Sequence, residues 1–155
     1  MELQSKAVWK DGMAFDTELE GFHFTIDADE QFGGRNLGPR PKGLLLSSLI
    51  GCTAMDVVAI LGKMRVIPDA FEVSADGVLD DEMPKAYQSI TVRYTFRGTD
   101  LPENKLRRAV QLSEERYCGV RATLAPVLDI SSEIWVNGER LPAADADRMV
   151  QTRAP

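Results

Sequence analysis

Two thiols and one imidazole bound the nucleophilic and metal-binding chemistry open to this 155-residue chain. Cys52 lies in SSLIGCTAMDVV (47–58), beside a glycine and four positions before Asp56; Cys118 lies in ERYCGV, 66 positions further on. A thiol attacks electrophiles as its thiolate, and two thiols that meet can form a disulfide. Cysteine is also a small hydrophobe that cores bury with no chemical purpose, so for each residue the bland reading stays open. Two cysteines are too few for a disulfide scaffold, and a reducing compartment does not preserve a structural bridge, so a pairing would belong to a reaction.

Other chemistries find less support. His23, the sole histidine, sits in an aromatic strand-like segment where a half-buried structural imidazole is the simpler reading, and no serine lies in a nucleophile-elbow pattern. GPRPKG (38–43) is followed by Leu44 and Leu45, so the Lys and Ser or Thr of a phosphate-cradling loop are missing. One histidine and two cysteines without paired spacing do not form a zinc pattern, and no dinucleotide fingerprint follows a strand. The expectation is therefore chemistry without a metal or cofactor.

The composition, 44% hydrophobic and 27% charged, is that of a globular protein. Eighteen basic against twenty-four acidic residues give a net charge of −6, which repels polyanions and argues against nucleic acid as a partner. The acidic runs DADE (27–30) and DDE (80–82) read as solvated loops without chemistry. MELQSKAVWKDG lacks a secretory pattern, and Ser47, Ser48, Thr53 and Asp56 interrupt the longest apolar stretch, so a cytoplasmic protein without a membrane partner is expected.

The elements that must position the thiols follow from periodicity. Leu3, Ala7 and Trp9, then Phe22, Phe24 and Ile26, alternate in the manner of strands, with Gly12 and Gly21 bracketing a hairpin region. FGGRNLGPRPKG (32–43) is a Gly/Pro loop whose Pro41 suits the first turn of a helix. From Leu44 to about Lys63 the apolar residues cover nearly every face, which predicts a helix enclosed by its own chain or by a second copy. AFEVSA and SITVRYTF alternate cleanly, with Ile90, Val92, Tyr94 and Phe96 on one face. An amphipathic helix follows, opened by a capping box from Asp100 to Glu103, with Leu106, Val110, Ser113 and Tyr117 on its stripe and Gly119 at its end. A last strand turns at Asn137-Gly138. The sum is α+β, one domain over 1–141 with mostly antiparallel sheet packed around a long buried helix, and a weakly ordered tail over 142–155.

GPRPKGLLLSSLIGCTAMDVVAIL, with SEERYCGVRATL far downstream, resembles the OsmC/Ohr family of osmotically induced and organic-hydroperoxide-resistance proteins, over nearly the whole chain. It looks most similar to the branch whose helix reads GCTAMDVV. The resemblance implies an OsmC-like fold and an intertwined homodimer with active sites at the subunit interface. It also implies a cofactor-free peroxidase in which Cys52 attacks a small apolar organic hydroperoxide and becomes a sulfenic acid. Cys118 then forms an intramolecular disulfide with it, which an external dithiol reduces.

An unperturbed thiol, with a pKa near about 8.5, is mostly protonated at neutral pH. The start of the helix lies about 15 Å from Cys52, too far to help, and Asp56 would oppose ionisation if it faced the sulfur. A cation must come from elsewhere. Family members use an arginine held by a glutamate, and the resemblance favours Arg35 for that role, with Arg40 second; as loop arginines, both read equally well as solubility residues. Where the family glutamate falls, this chain has Lys42 and Gly43. Either another carboxylate, such as Glu30 or one from a partner chain, holds Arg35, or the thiol is poorly activated. The second case describes a ligand-binding or regulatory module with little peroxidase activity. Cys118, near a helix carboxyl end, suits a resolving thiol; a short helix starting at Cys118 would reverse that electrostatic sign.

Overall fold

The computed structural model describes residues 2–143, which fall into two compact units dividing between Ser47 and Ser48, inside the longest helix. Most of the tail expected over 142–155 lies outside the described residues.

The first unit is an antiparallel meander of β1 (Ser5–Asp11), β2 (Ala14–Leu19) and β3 (Phe22–Ile26). Both turns need left-handed backbone, and Gly12 (φ 52°) and Gly21 (φ 84°) supply it without a Cβ penalty. The alternation read in β1 buries no face: all seven residues are exposed.

The segment from Asp27 to Arg40 is tightly built. Cβ atoms at Gly34 and Gly38 would come within 1.9 Å of the Ala28 carbonyl oxygen and 1.8 Å of the Thr25 carbonyl oxygen, so only glycine permits these backbones to approach. The buried Asp27 carboxylate accepts from the backbone N–H groups of Ala28 (2.8 Å), Arg35 (3.0 Å) and Leu37 (3.2 Å). Asp29 caps the 3-10 turn Glu30–Phe32 by accepting from the Gln31 N–H. Two of the four DADE residues, expected to be solvated and idle, thus hold the arginine loop together.

Helix α1 (Pro41–Lys63) starts at the expected proline. Its length and apolarity would suit a bilayer span, yet from Leu49 onward it buries a stripe within the fold: Leu49, Thr53, Val57, Ile60 and Leu61. Enclosure on every face is not what this chain alone provides, because Met55 and Val58 are exposed.

In the second unit, β4 (Ala70–Leu79) pairs antiparallel with β5 (Tyr87–Arg97), and β6 (Asp129–Val136) pairs with β5 in parallel, from Ser89↔Asp129 to Phe96↔Val136. A parallel pair needs a crossover of a dozen or more residues. Helices α2 (Glu103–Leu112) and α3 (Gly119–Leu124) make it. The short β7 (Glu139–Arg140) closes the sheet after the Asn137-Gly138 turn, where both φ angles are positive. Ile90, Val92, Tyr94 and Phe96 are all buried, as their alternation requires. With Leu106, Ala109 and Val110 of α2 they form the core, and Phe96 stacks on Phe71 at 4.6 Å.

The structure differs from expectation around α2. Asp100 does not cap it: the helix begins after Pro102, without a side-chain cap bond, and Asp100 is in a left-handed turn (φ 51°). Gly119 does not end it either. The helix passes at Ser113–Tyr117 into a π turn, whose extra residue shifts the helical phase. Tyr117 therefore swings out to solvent, leaving the apolar stripe, and Cys118 takes the buried place.

Candidate functional site: a cysteine pair beside a buried polar chain

Cys52 and Asp56 sit one turn apart on α1, a spacing that puts them on the same side of a helix. Cys118 reaches them from the α2–α3 junction. Its backbone N–H donates to the Ser113 carbonyl at 2.8 Å, the i→i−5 bond that closes the π turn and sets the cysteine in position. The two sulfurs and a carboxylate oxygen of Asp56 all lie within 4.8 Å of one another. Neither cysteine is in a disulfide; Cys52 is half-buried and Cys118 buried. A disulfide is about 2 Å long, so the sulfurs must close from this separation before they bond.

Cys118 is the N-cap of α3, and its Sγ accepts from the Arg121 N–H at 3.4 Å. This is the helix start that reverses the sign expected from a carboxyl end. Burial outweighs it. Desolvation pushes the Cys118 thiol up to about 11; the Arg121 N–H opposes that shift, and Cys52 and Asp56 reinforce it. Cys118 is a poor thiolate because it is dry.

Behind the pair runs a line of buried hydroxyls. Ser113 Oγ donates to Asp56 Oδ2 (3.1 Å) and touches Thr53 Oγ1 (2.7 Å), which also meets the Tyr94 hydroxyl (2.8 Å). Tyr94 donates to Glu114 Oε1 (3.1 Å), as does Ser132 Oγ. Burial, then the Glu114 charge, push the Tyr94 phenol far up, so it stays a donor. Arg121 lies at the far end, its guanidinium 3.8 Å from Glu114 Oε1 and donating to the Ile130 carbonyl (3.0 Å), with its buried Nη1 lacking a hydrogen-bond acceptor among the described residues. An arginine beside a glutamate therefore exists in the same unit as the cysteines. Neither residue was singled out from sequence; the three-residue spacing from Cys118 to Arg121 was the only cue.

Arg35 and Arg40, the expected activators, lie in the first unit, and both are paired there. Arg35 pairs with Asp11, and Arg40 binds Asp29 (3.0 Å) and Asn36 (2.6 Å). Aspartates, not Glu30, hold these guanidiniums.

An open hollow of about 340 Å³ borders Asp56 and is lined by Ala59, Ile60, Lys63, Met64, Leu112 and Tyr117. Its mostly apolar wall with one carboxylate and one ammonium suits a small, largely apolar molecule.

The chain matches the model of the OsmC-like protein family over residues 33–133. Protein YhfA of Escherichia coli K12 is 32% identical over 129 residues, covering 83% of this chain and 94% of that one. A crystal structure of a hypothetical protein from Aquifex aeolicus superposes with a TM-score of 0.74 at 28% identity, covering 88% of this chain and 98% of that one. The organic hydroperoxide resistance protein OsmC of Legionella pneumophila shares the fold, with a TM-score of 0.68 at 14% identity over 88% and 98% of the two chains.

Proposed function

Because the chain belongs to the OsmC-like protein family, we propose that it is a thiol-dependent peroxidase that reduces organic hydroperoxides in the cytoplasm. The observation that carries this reading is the approach of Cys52 and Cys118 Sγ to within 4.8 Å across 66 positions of sequence. The Cys52 thiolate attacks the terminal peroxide oxygen; the O–O bond breaks, the alkoxide takes a proton and leaves as alcohol, and Cys52 becomes a sulfenic acid. The Cys118 sulfur then attacks Cys52 Sγ, water leaves, and an S–S bond forms. An external dithiol returns both thiols. Burial keeps Cys118 a thiol at neutral pH, which disfavours it as the sulfur that attacks the peroxide and leaves Cys52 for the first step. Arg35 remains the proposed activator, acting at the interface of a homodimer, and the exposed Met55 and Val58 on α1 are apolar surface that a second copy would cover.

The test is stoichiometric thiol loss on addition of cumene hydroperoxide, with formation of an intramolecular disulfide. Cys52→Ser should abolish it, and Cys118→Ser should stall at a sulfenic acid trapped by dimedone. A wild-type protein whose thiols survive the peroxide removes the proposal.

One observation favours a second reading, a binding or regulatory module with weak turnover: Lys42 and Gly43 stand where the family glutamate falls, and Arg35 and Arg40 are both engaged by aspartates. The pH dependence of Cys52 alkylation separates the two. A midpoint at or above about 8.5, the free-thiol value, favours the binding module.

A further inference from the structure

A peroxidase cycle accounts for two of the three groups that converge at the end of the hydroxyl chain, and leaves Asp56 without a purpose. A carboxylate beside two thiols is a handicap to a reaction that begins by ionising one of them. It is an asset to a cation. We propose that reduced Cys52 and Cys118, together with Asp56, bind one divalent cation of the zinc class.

The three ligand atoms already lie within 4.8 Å of one another. Two Zn–S bonds of about 2.3 Å at the tetrahedral angle put the sulfurs about 3.8 Å apart, so a contraction of at most about 1 Å completes the set. Thiolates select soft or borderline ions and exclude magnesium and calcium, while a carboxylate in place of a third sulfur favours a dication over Cu(I).

The groups behind the ligands match what metal sites require. Ligating carboxylates and thiolates are held by outer hydrogen bonds that set their orientation. Here Ser113 Oγ donates to Asp56 and is itself backed by Thr53 and Tyr94, and the Arg121 N–H points at Cys118 Sγ. A carboxylate has two oxygens, so one can hold Ser113 while the other ligates. Three protein ligands leave a fourth position open, and the hollow reaches the Asp56 ligand. On binding, each sulfur that is a thiol gives its proton to solvent as its bond to the metal forms; no electron is transferred. Paired spacing is absent from the sequence, and the π turn before Cys118 brings the two thiols together instead.

The consequence is exclusive occupancy: a sulfur in a disulfide has no anionic charge to ligate with, so metal and oxidation compete for the same pair. The proposal rests on the three ligand atoms and not on peroxide turnover, and its readout involves no peroxide.

Reduced, desalted, full-length protein is titrated anaerobically with Co²⁺ and then with Zn²⁺. The expected result is one Co²⁺ per chain, with thiolate-to-cobalt charge-transfer absorption and the intense visible bands of a tetrahedral ion, displaced by Zn²⁺. Cys52→Ser or Cys118→Ser should roughly halve the charge-transfer intensity, and capping both thiols with methyl methanethiosulfonate should abolish it. Asp56→Asn should keep the charge-transfer band but weaken binding at least about tenfold, the loss that even an outer partner commonly causes. If Asp56→Asn does not fold, Ser113→Ala should lower affinity about tenfold or more through loss of the hydroxyl that holds the carboxylate. Absence of the charge-transfer band, binding that survives capping, or unchanged affinity in the folded Asp56 or Ser113 variant overturns the proposal.

Discussion

Thr53→Val interrogates the buried polar chain that orders the site, because it removes a hydroxyl at a residue only 1% exposed while keeping the branched shape. Ser113 gives its proton to Asp56 and Tyr94 gives its own to Glu114, so the single Thr53 proton is shared between the Tyr94 and Ser113 oxygens. The substitution therefore removes about one good hydrogen bond. It strands neither neighbour, since each keeps a carboxylate at 3.1 Å. The expected cost is about 1 kcal/mol, the net worth of one such bond, without the further 1–3 kcal/mol that an orphaned group would add. In a domain of 150–250 residues that lowers Tm by about 2–4 °C. Urea unfolding in a Trp9→Phe background makes Trp135 of β6 the reporter, so the signal comes from the second unit. Combined with Tyr94→Phe, the two substitutions should couple by about 0.5 kcal/mol or more, as contacting residues do. Additivity within about 0.3 kcal/mol, or a Thr53→Val protein as stable as the parent, would refute the hydroxyl chain as a unit.

Two further outcomes follow from ionisation. With its thiol pushed up to about 11, only about 0.01% of Cys118 is thiolate at pH 7, so iodoacetamide should label Cys52 first and label Cys118 at least about 100-fold more slowly in the native protein than in urea; equal native rates by mass spectrometry would contradict the burial. The Arg35 N–H, followed by those of Leu37 and Ala28, holds the Asp27 carboxyl below its ordinary value of 3.8. A depressed carboxylate stabilises above its unfolded pKa and loses that contribution as pH falls through the folded one. The amide shifts of Arg35 and Leu37 should therefore titrate together with a midpoint below 3.8, and a midpoint at or above it would separate the loop from Asp27.

Local periodicity was enough to read most of the architecture. Proline at 41, the alternation from Ile90 to Phe96, and the Asn137-Gly138 turn each express a preference that the nearest few residues satisfy, and each element formed where that preference placed it. The i, i+4 pairing of Cys52 with Asp56 belongs to the same class. Enclosure is different, because how much of α1 is covered depends on neighbours that its own sequence does not name, as the exposed Met55 and Val58 illustrate.

The meeting of Cys52 with Cys118 depended on long-range packing. It required the crossover that makes β6 parallel to β5, and one added residue in the turn before Cys118, which rotated Tyr117 out and the cysteine in. A π turn replaces one hydrogen-bonding pattern by another of similar strength, so the local sequence scarcely prefers either, and tertiary contacts of Ser113 decide between them. The acidic run at 27–30 carries the same lesson: a carboxylate in a loop looks idle until the backbone folds around it and three N–H groups converge on Asp27. Residue types set which chemistry was possible, and the long-range packing that buries Thr53, Ser113 and Cys118 together decided where it was assembled.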